Sequence, residues 1–256
     1  MKKLLFTLLF LSLTVAIHAQ SKTPRYELPR QAKSDKERLI NHDSYSLSFN
    51  LDRLTPTWVA WCLTPSRVNG NVKRTDFFDG DPDIEVKYRV VHGDYYTSGF
   101  DRGHMCPAAD NRHSQRAMVQ CFYMTNMCPQ SHALNVGGWN DLEIQCRSWA
   151  KNYGKLYICA GPIYDNKSSV QRIGTRRNYR IAVPDRFYKV VLMVGAKTTK
   201  AIGFIYPNAS ANRDIRYYAV SVDEVERITG LDFFYQLDDT VEKRVEAECK
   251  PAAWGI

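Results

Sequence analysis

Tyr45, Leu47, Phe49 and Leu51 alternate with Ser46, Ser48 and Asn50. Only an extended backbone, whose side chains point to opposite faces at each step, sorts these residues into one apolar and one polar face. The pattern therefore predicts a half-buried β-strand. A second β-rich run, TWVAWCL at 57–63, follows closely enough to be its neighbour in a sheet. Residues 64–83 are dense in Gly, Asn, Asp and Pro and read as loop.

Further along, Ser114 can cap a short helix running through Cys121, and a longer helix is expected from Trp139 to Asn152. KLYICA at 155–160 reads as a buried strand stopped by Gly161-Pro162. Phe187–Val194 and Lys200–Tyr206 read as two strands turning at 195–197. Ser221 and Glu224 have capping-box spacing ahead of Val225 and Ile228, and Gly230 closes that helix. There is no repeat and no low-complexity tract. These elements predict one α+β domain over residues 41–256, with a central antiparallel sheet flanked by helices. Residues 20–40, polar and punctuated by Pro24 and Pro29, are expected to form a flexible lead-in.

Residues 1–19 begin with Lys2 and Lys3, continue through an apolar stretch from Leu4 to Ile17, and reach a small residue at Ala19. This reads as a secretory signal peptide cleaved after Ala19. An apolar run of about 14 residues is short for a membrane span, which needs about 20. The expectation is a secreted or periplasmic protein with no membrane partner after cleavage. In an oxidising compartment, some of the seven cysteines should pair as disulfides, and their odd number leaves at least one buried thiol. None is arranged as CxxC, so a zinc cluster has little support. The formal net charge of +8 is compatible with a polyanionic partner but does not by itself identify one.

The densest polar cluster is SGFDRGHMCPAADNR, beginning at Ser98. Asp101, Arg102, Gly103 and His104 lie together in it. Gly103 permits a sharp turn or a close approach. Asp101 or a backbone carbonyl could fix the imidazole tautomer, leaving the other ring nitrogen of His104 to take a proton. A second cluster spans residues 125–149, where Asn135, Trp139, Glu143 and Arg147 recur every four residues. On one unbroken helix Asn135 and Glu143 would lie about 12 Å apart, too far to ligate one ion directly unless Gly137-Gly138 breaks the first turn. Mg²⁺ keeps several of its waters and takes few protein ligands, so direct contact from Asn135 with Glu143 acting through a water is a consistent arrangement. Glu143 and Arg147 would also make an ordinary helical ion pair. Arg74 opens RTDFFDGDP, where Asp76, Phe78, Asp81 and Pro82 could order a loop that aims its guanidinium.

Taken together, these segments resemble the DNA/RNA non-specific endonuclease family, the ββα-metal (His-Me finger) nucleases. The resemblance runs from about Leu47 to Phe234. It rests on DRGH at 101–104, the N-x3-W-x3-E pattern at Asn135, Trp139 and Glu143, Arg147 one turn later, TNMCPQ at 125–130 and VERITGLDFF at 225–234. Together with the signal-peptide reading of residues 1–19, it implies an exported, Mg²⁺-dependent endonuclease of low sequence preference acting on DNA and/or RNA, with Mn²⁺ or another divalent ion able to substitute. It further implies that His104 is the general base, that Asn135 ligates the metal, and that Glu143 positions a metal-bound water. Arg147 and Arg74 would bind phosphate, and Arg102 is a further substrate-binding candidate. A homodimer is left open. Two other classes stay open at this stage, a catalytically silent nucleic-acid-binding module and a phosphodiesterase for small esters.

Overall fold

The computed structural model describes residues 23–166, 168–176 and 178–256, so the expected signal peptide lies outside the described residues. The alternating run forms β2 of an antiparallel meander: β1 (Glu37–Asn41), β2 (Ser46–Asn50) and β3 (Thr55–Leu63). A single turn, α1 (Pro65–Val68), follows behind its Thr64 cap. The next segment carries β4 (Asp101–His104), α2 (Gln115–Gln120, capped by Ser114), β5 (Met127–Gln130), α3 (His132–Val136) and α4 (Gly138–Tyr153). The chain then returns to the sheet through β6 (Leu156–Ile163), passes a two-residue pair, β7 (Arg172–Ile173) with β8 (Ile181–Ala182), and forms the hairpin β9 (Arg186–Val194) and β10 (Thr199–Pro207). It ends with β11 (Ala219–Val220), α5 (Val222–Thr229) and α6 (Asp239–Ala247). The main sheet has the order β1-β2-β3-β6-β9-β10-β11, and every neighbouring pair in it is antiparallel.

Three expectations are corrected here. The lead-in is structured from residue 23: Glu27 is buried, Arg30 pairs with Asp232, and β1 occupies the sheet edge. This also changes the reading of β2, whose serine face is covered as well. Ser48 donates to Glu37 and Ser46 to Asn41, so both faces are buried and the polar one is satisfied by hydrogen bonds. Second, Gly161-Pro162 does not stop β6. Gly161 is where the Thr57 carbonyl comes too close for any Cβ, and Pro162 lies beyond Ala160, the last residue paired with β3. Third, all seven cysteines are free thiols, distributed over separate elements and six of them at least partly buried. The five buried ones fill core space as small apolar groups instead of cross-linking the chain.

The sheet is covered on both sides, as its alternating parity requires. Val59, Trp61, Ile158, Val191 and Phe204 join a core with Trp139, Leu142 and Trp149 of α4. Their sequence neighbours Trp58, Ala60, Cys159, Val190 and Leu192 join a second core with Val222 and Val225 of α5 and Val245 of α6. The β4–β5–α4 unit thus sits on one face of the sheet and the C-terminal helices on the other. No helix among the described residues is long and apolar enough to cross a membrane.

Candidate active site

DRGH forms β4, paired antiparallel with MCPQ in β5, so His104 stands opposite Met127 and Gly103 opposite Cys128. Gly103 is required by packing, not by a turn: a Cβ there would lie 2.6 Å from the Gln130 Cβ. His104 is 8 % exposed, with Phe122 edge-on at 4.8 Å and Phe78 at 5.7 Å between ring centroids. Its Nε2 is buried without a hydrogen-bond partner. Asp101, one of the two groups expected to fix the imidazole, does not hold it; aromatic walls orient the ring, and Trp139 donates to the His104 backbone carbonyl at 3.2 Å. Burial, with Arg74 and Arg102 nearby, pushes the His104 pKa down to about 3, which keeps the imidazole neutral.

Asp101 holds Asn135 instead. Asn135 Nδ2 donates to Asp101 Oδ2 at 2.9 Å, and His132 Nδ1 lies 2.8 Å from the same oxygen. An ionised carboxylate only accepts, so it selects the NH₂ end of the amide and leaves Asn135 Oδ1 available to an electrophile. Asn135 lies in the last turn of α3, Gly137 breaks the backbone at φ −102° and ψ −119°, and Glu143 belongs to the separate helix α4. The break removes the axial separation that one continuous helix would impose.

Glu143 is half-buried, and burial raises its pKa to about 7 against the opposing fields of Lys189, Arg147 and Arg74. The helical Glu143–Arg147 pair is not formed. Arg147 donates to Asp110 at 3.2 Å, while Asp110, almost wholly buried, accepts from Trp61 on its other oxygen. Burial raises the Asp110 pKa, and Arg147 is the largest influence opposing it.

Arg74 reaches the site across the face of Phe122, 4.9 Å from the ring centroid, and donates to Asp76. Its loop is anchored where the sequence placed Asp81, whose buried carboxylate accepts from Thr125, meets His42 at 3.0 Å and caps the Asp83 amide. Arg102 lies over Phe78 at 4.4 Å. All six expected residues, Arg74, Arg102, His104, Asn135, Glu143 and Arg147, line one cleft of about 580 Å³, together with Asp101 and His132.

Sequence reasoning missed three contributors, Asp110, His132 and Lys189, and named Asp101 without its partner. Asp101 and Asp110 lie inside the DRGH segment, but nothing in their spacing says what each would hold. His132 sits at the exposed margin of the cleft. Lys189 is fully buried, its Nζ unpartnered and 4.2 Å from the Trp139 ring centroid. The available signal was one charged residue inside the apolar run FYKVVLMV at 187–194.

Residues 27–240 match the DNA/RNA non-specific endonuclease family. The chain belongs to this family. It is 34 % identical over 219 residues to human mitochondrial endonuclease G, covering 82 % of this chain and 72 % of the relative. It is 32 % identical over 249 residues to a nuclease of Nostoc sp., covering 93 % and 88 %. The match to the mitochondrial nuclease EXOG of Xenopus laevis, at 34 % identity, covers 80 % of this chain but 60 % of that protein's length. A solved EndoG/EndoGI complex matches with a TM-score of 0.72 and 32 % identity, over 78 % of this chain and 86 % of that one. The fold of this family member is the ββα-metal nuclease fold, with β4, β5 and α4 as its ββα unit. Members of the family are divalent-metal-dependent nucleases. One expectation is overturned: relatives whose names carry a compartment are mitochondrial, so the secreted or periplasmic location and exported status are withdrawn. A basic start and an apolar run establish only that the N-terminal segment is apolar, not which compartment it addresses.

Proposed function

We propose that this chain is an endonuclease that hydrolyses phosphodiester bonds of DNA and RNA with little sequence preference, using His104 as general base and a divalent ion, Mg²⁺ in the first instance, held by Asn135. The observation carrying this reading is the convergence of a neutral, unpartnered imidazole, an amide oxygen freed by Asp101 and three guanidinium groups on one cleft. Asn135 would contact the ion directly and Glu143 through a water, a donor set of oxygens that suits a hard cation which keeps much of its hydration. When bound, the ion supplies positive charge to the scissile phosphate and the departing oxygen.

The protein's own groups supply the rest. His104 takes a proton from water as the water oxygen forms its bond to phosphorus, and the bond from phosphorus to the leaving oxygen breaks. That oxygen departs with the electron pair and is protonated from solvent. Arg74, Arg102 and Arg147 lower the cost of bringing a polyanion to the cleft, and Asp110 fixes the direction of Arg147. Contacts to phosphate carry no base information, which supports low sequence preference.

The test is incubation of purified protein with plasmid, RNA and a small chromogenic phosphodiester, with and without EDTA. Plasmid and RNA should be cut, and chelation should stop cutting. Turnover confined to the small ester, or cleavage indifferent to EDTA, would overturn the reading.

A further inference from the structure

The face of the sheet opposite the cleft carries a second set of acidic groups. Asp223 and Glu226 are three residues apart on α5 and therefore share one side of it. Glu246 reaches the same place from α6, and one carboxylate oxygen from each of the three lies within 4.8 Å of the other two. Glu246 is 5 % exposed, and its Oε1 is buried with no hydrogen-bond partner. Glu226 uses Oε1 to accept from the Phe233 amide at 2.6 Å. Beside them opens a cavity of about 400 Å³ lined by Arg30, Asp223, Tyr235, Glu242, Lys243 and Glu246.

Three carboxylates at this spacing repel strongly, and the nearby cations do not neutralise them. Arg30 is committed to Asp232, and among the described residues none of the three carboxylates makes an ion pair. A buried carboxylate with an unpartnered oxygen, set against two further carboxylates, is a costly arrangement unless something electrophilic completes it. The donors are all oxygen, they come from two helices, and the adjoining cavity admits water to fill remaining positions, as a calcium-like ion of flexible coordination requires.

We propose that Asp223, Glu226 and Glu246 form a second cation site, remote from the catalytic cleft, which takes a hard divalent ion of the calcium class and pins α5 to α6. Asp223 remains exposed for entry.

The test uses the full chain carrying Asn135→Ala, which removes the cleft's own ligand. At pH 8, Ca²⁺ should raise Tm by about 5 °C at saturation, and Tb³⁺ should bind with luminescence sensitised through Tyr235 and displaced by Ca²⁺. Glu246→Gln and, separately, Glu226→Gln should abolish both effects. Glu246→Gln in the otherwise native chain should leave plasmid cleavage within about twofold of the parent. If Glu246→Gln fails to fold, Glu226→Gln decides. A Tm indifferent to Ca²⁺ at pH 8, or a Ca²⁺ shift retained by the Gln variants, would overturn the proposal. So would stabilisation that appears only on acidification, which means a shared proton.

Discussion

Trp139 donates its indole N–H to the backbone carbonyl of His104 at 3.2 Å. This bond joins the first turn of α4 to the end of β4, so the helix carrying Glu143 and the strand carrying the base cannot shift independently. Trp139→Phe keeps an aromatic ring in the core but removes the donor. Losing one hydrogen bond at a buried carbonyl costs about 1–3 kcal/mol. Plasmid cleavage should fall by about tenfold, as for other groups that support ligands from behind, with a modest loss of Tm. A Trp139→Phe variant that is destabilised yet cleaves at the parent rate would show that the bond serves the fold alone.

The Asp101–Asn135 contact predicts an order of damage. Asn135→Ala removes the one protein oxygen proposed to touch the ion directly, and it should abolish Mg²⁺-dependent cleavage at every Mg²⁺ concentration. Glu143→Ala should leave a measurable rate, lower by about 10–100-fold. Titrating Mg²⁺ against rate for both variants tests the assignment. Greater damage from Glu143→Ala across the titration would reverse the two roles.

The buried imidazole predicts where activity fails in acid. A general base must be neutral, and burial with Arg74 and Arg102 lowers the His104 pKa from its ordinary value toward 3. The acid limb of kcat/KM at saturating Mg²⁺ should therefore lie below the roughly 6.5 of an ordinary histidine. His104→Ala should lose nearly all cleavage while keeping duplex affinity, which comes mainly from Lys and Arg contacts to phosphate. Near-parent cleavage of supercoiled plasmid by His104→Ala would sink the assignment. The same depressed pKa makes the folded protein bind fewer protons than the unfolded chain between the two values. Its contribution to stability is thus present above about pH 6.5 and lost as pH falls toward 3.

Lys189 predicts a second, separable pH effect. Its charge is the largest influence holding the Glu143 pKa down, against a burial effect that raises it to about 7. Lys189→Met nearly conserves volume but removes that charge, so Glu143 should stay protonated to higher pH. Because metal binding requires the carboxylate, the Mg²⁺ needed for half-maximal rate at pH 7 should rise several-fold and return toward the parent value at pH 9. Superimposable Mg²⁺ titrations at pH 7 would show that Lys189 acts only on packing.

Several features were legible because they are local. Period-two alternation placed β2, apolar runs placed β3, β9 and β10, and Ser114, Ser221 and Gly230 marked helix ends through hydrogen bonds made within a few residues. Five of the six cleft residues were readable because DRGH and N-x3-W-x3-E, with Arg147 one turn on, are chemical patterns held in two short segments, while Arg74 came from a third, RTDFFDGDP. What only the tertiary structure decided depends on groups far apart in the chain. Asp101 turned from the imidazole to an amide 34 residues away, and Arg147 left its helical neighbour Glu143 for Asp110, 37 residues away. Lys189 brought its charge to Glu143 from β9, 46 residues on, and Glu37 covered the serine face of β2. In each case the sequence by itself determined that a charge or polar group existed, while burial determined its partner. A polar group removed from water must take the nearest complementary group in space, and the order of residues along the chain does not specify which one that is.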